Sequence, residues 1–174
     1  MKTKKILAIL LAIMMFCSIM SITAFADDQY TVTIYLERIF RDEDNEVTTH
    51  YSLNGGVPLT IVVNSGTNLK GAINGLCNQT NPVISNSVWG NNDGEYLTSL
   101  KVGTTTFTNN DNFYYNTPSV GLTTYIGSSW MYFEGTPNNI PETTYIYPDV
   151  SLYNRTVLSN VTITLSFENQ TFVW

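Results

Sequence analysis

The chain has 174 residues, 43% of them hydrophobic, with 14 acidic and 8 basic side chains, one histidine and two cysteines. Residues 1–26 carry three of the eight bases and no acid, so without them the net charge is −9, which excludes nucleic acid and anionic lipid surfaces as partners because both need a basic footprint. With Cys77 then the only cysteine, no internal disulfide is available and a zinc site lacks ligands.

Residues 1–26 read as a cleaved signal peptide. Lys2, Lys4 and Lys5 precede a mostly apolar run from Ile6 to Met20, and Ala24-Phe25-Ala26 offers the small residues that a signal peptidase recognises. The run is too short and wrongly flanked for a stable membrane span. Phe16 before Cys17 argues against lipid attachment. A secreted, extracellular protein with no membrane association after cleavage is expected, formed by one domain over residues 27–174. A chain of that length buries roughly two thirds of its unfolded surface.

Tyr30, Val32, Ile34 and Leu36 alternate with Thr31, Thr33 and Tyr35, the period of a half-buried strand. The polar stretch Arg41 to Glu46 suits a hairpin tip, after which Val47, Thr49, Tyr51 and Leu53 return along the sheet. Asp42, Asp44 and Glu46 are spaced two apart, as solvated tip residues or as oxygen ligands of calcium, and Asn91 to Glu95 is a second oxygen-rich turn. Neither stretch makes a full metal loop: the first lacks the central glycine and distant glutamate of an EF-hand. His50 lies between Thr49 and Tyr51 and reads as structural or surface, since one histidine without an activated hydroxyl is no catalytic motif. No two carboxylates stand out as a glycosidase pair. A non-enzymatic protein is expected.

Asn54-Gly55-Gly56 marks a turn, and Leu59, Ile61 and Val63 continue the alternation. Leu69, Ala72, Ile73, Leu76 and Cys77 then fall on one helical stripe, with Ser65 or Thr67 expected as its cap. Cys77, on that stripe, is expected to be a small core residue. Gly71 and Gly75 lie off the stripe at about 1 kcal/mol each relative to alanine, which fits either a weak surface helix or close approach by another backbone or a ligand. From Asn78 to Asn116 the composition is that of loops around one short strand, Tyr96 to Val102, with Asn109 to Asn112 as a turn. Trp130 to Phe133 is a short aromatic strand. Prolines 137, 141 and 148 interrupt the next stretch, and Val161, Ile163, Leu165 and Phe167 alternate in a final strand. Four Asn-x-Thr sequons (Asn78, Asn154, Asn160, Asn169) carry little weight beside a lysine-rich leader of bacterial type.

Hairpin, helix and further strands is the order of an α+β, β-grasp-like fold, a mixed sheet covered by one short helix. Three segments make the likeness specific: Ser65-Gly-Thr-Asn-Leu-Lys-Gly-Ala-Ile-Asn-Gly-Leu-Cys77, Gly94-Glu-Tyr-Leu-Thr-Ser-Leu-Lys-Val-Gly103 and Ser128-Ser-Trp-Met-Tyr-Phe-Glu-Gly135. In this order they resemble the C-terminal ligand-covering domain of transcobalamin and the bacterial domain-of-unknown-function family that shares its pattern, grouped with soluble-ligand-binding β-grasp domains. The chain departs from that pattern at Leu158-Ser159-Asn160 and after the aromatic strand at Glu134-Gly135. The resemblance implies a binding module whose ligand is cobalamin or another corrinoid, a flat ring edged with neutral amides. Aromatic faces suit such a ring, which makes Trp130, Tyr132 and Tyr96 the candidate contacts, with Trp89 contributed from a loop. No helical domain to cover the ligand's other side is expected in this chain, so a partner or dimer would have to complete the site. The alternative is an extracellular carbohydrate-binding or adhesion module whose aromatics stack on glycan rings. A third reading is an interaction domain held by a separate surface protein, as no Leu-Pro-x-Thr-Gly sorting motif is present.

Overall fold

The computed structural model describes residues 28–42, 44, 46–90, 95–114, 124–142 and 150–173. The leader, Asn91 to Gly94 and Pro148, all singled out in the sequence, lie outside the described residues.

The architecture is mostly β with one short helix: a mixed six-stranded sheet and a three-stranded antiparallel sheet. Its backbone is β1 (Gln29–Arg41), whose first half pairs with β3 (Leu59–Asn64) and whose second half pairs with β2 (Val47–Ser52), both antiparallel and on the same edge. On its other edge β1 runs parallel to the last strand, β9 (Val161–Val173), from Val32↔Val161 to Phe40↔Asn169. The sheet continues antiparallel through β8 (Thr124–Glu134) to β7 (Asn110–Tyr114). The small sheet is β4 (Ile84–Gly90), β5 (Tyr96–Val102) and β6 (Thr105–Thr108).

The helical stripe forms α1 (Leu69–Cys77) and buries Leu69, Ala72, Ile73 and Leu76. Its cap is Asn68, whose Oδ1 accepts from the Gly71 N–H at 2.8 Å, and not Ser65 or Thr67. The reason lies in the preceding turn: Gly66 has φ +88°, and the Thr67 carbonyl is taken by the Val157 N–H, so the helix begins one residue later. Leu69 and Lys70 donate to the carbonyls of Arg155 and Leu152, which satisfies two more N-terminal amides. A Cβ on Gly75 would stand 2.6 Å from Ile61 Cδ1, so this glycine lets a side chain of β3 approach, rather than a backbone or ligand. Half-buried Cys77 packs against the core, and its burial pushes the thiol up, partly offset by hydrogen bonding with Ser87.

Helix and small sheet together cover one face of the large sheet. Val32, Ile34, Leu36, Ile163, Leu165 and Phe167 meet the helical stripe and Ile84, Leu97, Leu100 and Val102 of the small sheet. The stretch from Asn78 to Asn116 thus holds four strands where loops and one strand were expected. Asn110 to Asn112 are strand, not turn, and the corner is Asn109 alone. Its N–H donates to the Thr98 carbonyl, its Nδ2 to the Leu97 carbonyl, and its Oδ1 accepts from the Trp130 N–H, so one side chain joins both sheets.

The opposite face of β9 carries the polar side chains Thr162, Thr164, Ser166 and Glu168. Of these, Thr164, Ser166 and Glu168 are fully buried. The chain leaving β8 folds back over them as a strap of residues 135–142 that includes a 3-10 turn (Pro137–Asn139). Thr164 Oγ1 donates to the Gly135 carbonyl. Arg41 donates through Nε to Glu168 Oε2 at 2.7 Å and through its two terminal nitrogens to the carbonyls of Glu142 and Pro141. Ser166 Oγ donates to the other oxygen of Glu168 at 2.5 Å. A buried pair held this way satisfies both charges and ties the strap to the sheet.

Candidate functional site

The four aromatic candidates occupy three different places. Trp130 and Tyr132 point from β8 into the helix-side core, and each is only 6% exposed. Trp130 packs its ring against Phe107 and Phe167 and donates Nε1 to the Phe107 carbonyl at 3.1 Å. Tyr132 donates its hydroxyl to the Val150 carbonyl, and burial holds its phenol above the ordinary range. Phe133, of opposite parity, is buried on the strap side. Trp89 lies on β4 rather than a loop, half-buried, its Nε1 donating to Asn74 Oδ1 at 3.0 Å and its ring 5.3 Å from Lys70 Nζ. Lys70 also stands 5.2 Å from the Tyr153 ring. Tyr96 opens β5 and is 55% exposed, while its neighbour Leu97 is buried. The structure does not gather the four onto one surface.

A concave site does occur on the strap side. Along β1 the parity of Tyr35, Glu37, Ile39 and Arg41 faces the strap, and pairing with β2 sets His50 opposite Ile39, Ser52 opposite Glu37 and Val47 opposite Arg41. The strap does not close over β2. Between them runs a groove with two lobes that share His50, Pro137 and Asn138. The larger lobe, about 570 Å³, is lined further by Glu46, Val47, Ile140 and Glu142. The smaller, about 380 Å³, reaches Tyr35, Glu37, Tyr51, Ser52, Gly56 and Thr136. Arg41, below, anchors the wall by holding the carbonyls of residues 141 and 142.

Glu37 and His50 form the polar centre of this groove. Glu37 is 3% exposed, and its Oε2 lies 3.2 Å from Nδ1 of His50, whose side chain remains 44% exposed. The buried carboxyl fixes the orientation of the ring and leaves its outer edge to the groove. At the hairpin tip Asp42 Oδ1 accepts from the amides of Asp44 and Glu46, which turns the backbone where Glu46 lines the groove. Sequence reasoning passed over Glu37, Pro137 and Asn138. The usable signal was an acid in the middle of the long first strand, on the same parity as Tyr35 and Arg41.

Compared with known protein families, curated proteins and solved structures, the chain matches none.

Proposed function

We propose that this protein is a secreted, non-catalytic module of β-grasp type, similar to the transcobalamin C-terminal domain, that holds a soluble ligand in the groove between β2 and the strap. The observation that carries the reading is the groove itself. Its larger lobe, about 570 Å³, is of the size of small-molecule clefts and joins apolar walls (Val47, Pro137, Ile140) to convergent polar groups (His50, Asn138, Glu142). The β-grasp assignment draws support from the β1–β2 hairpin, the single helix packed on the sheet and the parallel pairing of first and last strands.

A corrinoid is the ligand that the sequence resemblance implies. Its fringe of primary amides offers N–H donors to Glu46, Glu142 and Glu37 and an acceptor edge to Asn138. The groove takes the rim of such a ring and leaves its faces to water or to a partner, so the affinity expected of the module alone is modest, about micromolar to millimolar. Calorimetric titration with cyanocobalamin tests the reading: a saturable heat at one ligand per chain is expected, lost when Asn138→Trp fills the groove. No saturable heat up to millimolar ligand overturns the corrinoid reading. Binding on a glycan array in its place supports the carbohydrate-binding alternative, for which the exposed Tyr96 is the natural contact.

A further inference from the structure

Glu37 is a buried acid with too few partners. It is 3% exposed and its Oε2 takes one hydrogen bond, from His50, while Oε1 accepts from no described residue. A carboxylate has room for about four donors, and buried acceptors are nearly always satisfied. Elsewhere on the same face the rule is kept: Glu168, equally buried, has Arg41 on one oxygen and Ser166 on the other. The difference is that Glu37 lies at the groove and Glu168 lies under the strap.

The surroundings specify what the missing donor is. Glu46 and Glu142 line the larger lobe, and no lysine or arginine is among the described residues lining either lobe. Arg41, the cation on the same strand face, is directed to Glu168 and to carbonyls of the strap. A recess lined by one sign of charge between low-dielectric walls concentrates potential, so this one attracts cations and repels anions. An ammonium group brings three N–H donors and a full charge. The apolar side chains of Val47, Pro137 and Ile140 offer contact to an attached carbon chain.

We propose that Glu37 and His50 form a subsite for an organic ammonium group, with Glu37 Oε1 as its acceptor, Glu46 and Glu142 as outlying charges, and the aliphatic stem of the ligand along Val47, Pro137 and Ile140. The proposal rests on the groove being a ligand site and adds to it a preference for a primary ammonium over the neutral amides of a corrinoid. It is tested on the full chain by calorimetry with n-pentylammonium, pentanamide and 1-pentanol, each also scored for competition with cyanocobalamin. Pentylammonium is expected to bind about tenfold or more tightly than either neutral probe, and Glu37→Gln is expected to remove that preference, the difference made by one charged hydrogen bond. Should Glu37→Gln not fold, the exposed rim variant Glu46→Gln/Glu142→Gln serves instead: it is expected to weaken pentylammonium about threefold and to flatten its salt dependence. Glu134→Gln, on the surface away from the groove, is the unaffected control. Equal binding by the ammonium and the neutral probes, or unchanged affinity in both groove variants, overturns the proposal. If pentanamide equals the ammonium, the charge preference falls but the groove stands as an amide site. If cyanocobalamin binds and pentylammonium does not, the subsite falls and the ligand-binding reading survives.

Discussion

The two faces of the large sheet are both buried, but by opposite chemistry. On the helix side, aliphatic and aromatic side chains interlock, and the polar tips of Trp130 and Tyr132 are bonded to backbone carbonyls. On the strap side threonine, serine and an ion pair are buried beside Ile39 and Phe133, the cover is a strap of eight residues, and the cover stops short of β2. On the helix side these two polar groups are satisfied from within. The strap side keeps a carboxyl oxygen at a groove that no described residue serves. Stability resides mainly in the first face, and the proposed recognition site lies in the second.

The sharpest way to break this contrast is to remove one half of the buried ion pair. Arg41→Met strands the Glu168 carboxyl and releases the strap, with an expected loss of about 3–5 kcal/mol in urea unfolding. Replacing both partners by apolar residues is expected to recover most of it, and a double variant no more stable than the single one would contradict the pairing. On the other face, Ile73→Ala empties volume beneath α1 and is expected to cost about 2–5 kcal/mol while ligand affinity stays unchanged. A matching fall in affinity would show that the two faces are not separable.

Asn109→Ala tests the joint between the sheets. It removes two side-chain hydrogen bonds and strands the Trp130 amide and the Leu97 carbonyl, for an expected loss of about 1–3 kcal/mol. Asn68→Ala, at the helix cap, is expected to cost about 1 kcal/mol and to leave the strap side unaltered by amide exchange. The smallest effect is that of Tyr132. Because burial raises its phenol in the folded state, the folded chain holds that proton to higher pH than the unfolded chain does. Its contribution to stability is complete below the unfolded value, about pH 10, and declines as the pH rises from there toward the higher folded value. Tyr132→Phe is expected to flatten that alkaline decline in a pH series of unfolding midpoints.

Much of the helix-side face was legible in the residues themselves. The alternation Tyr30-Val32-Ile34-Leu36 and the stripe from Leu69 to Cys77 are local signals, and each segment buries the side it advertises. The strap-side face was not legible for a physical reason. Period-two alternation says which parity is apolar, and it assigns the polar parity to water by default. Thr164, Ser166 and Glu168 are buried because a segment some thirty positions earlier in sequence crosses them, tied there by Thr164 to the Gly135 carbonyl and by Arg41 to the carbonyls of Pro141 and Glu142. The groove is a consequence of where that segment stops. The aromatic strand shows the same limit from the other side. Its parity split was readable, but which side was the interior depended on the small sheet, whose strands β4 and β6 lie in polar, Asn-rich sequence that advertises loops. His50 was rightly placed in a strand; its link to Glu37 arises from the register of two strands and not from spacing.

The most direct test of the account is a residue-resolved NMR titration of the full chain with pentylammonium and, separately, cyanocobalamin. The expected result is that shift changes gather on Glu37, Val47, His50 and Asn138 and leave Trp89 and Tyr96 unmoved. Saturable changes centred on Trp89 and Tyr96, with the groove silent, would place recognition on the small sheet and contradict the division of labour between the two faces.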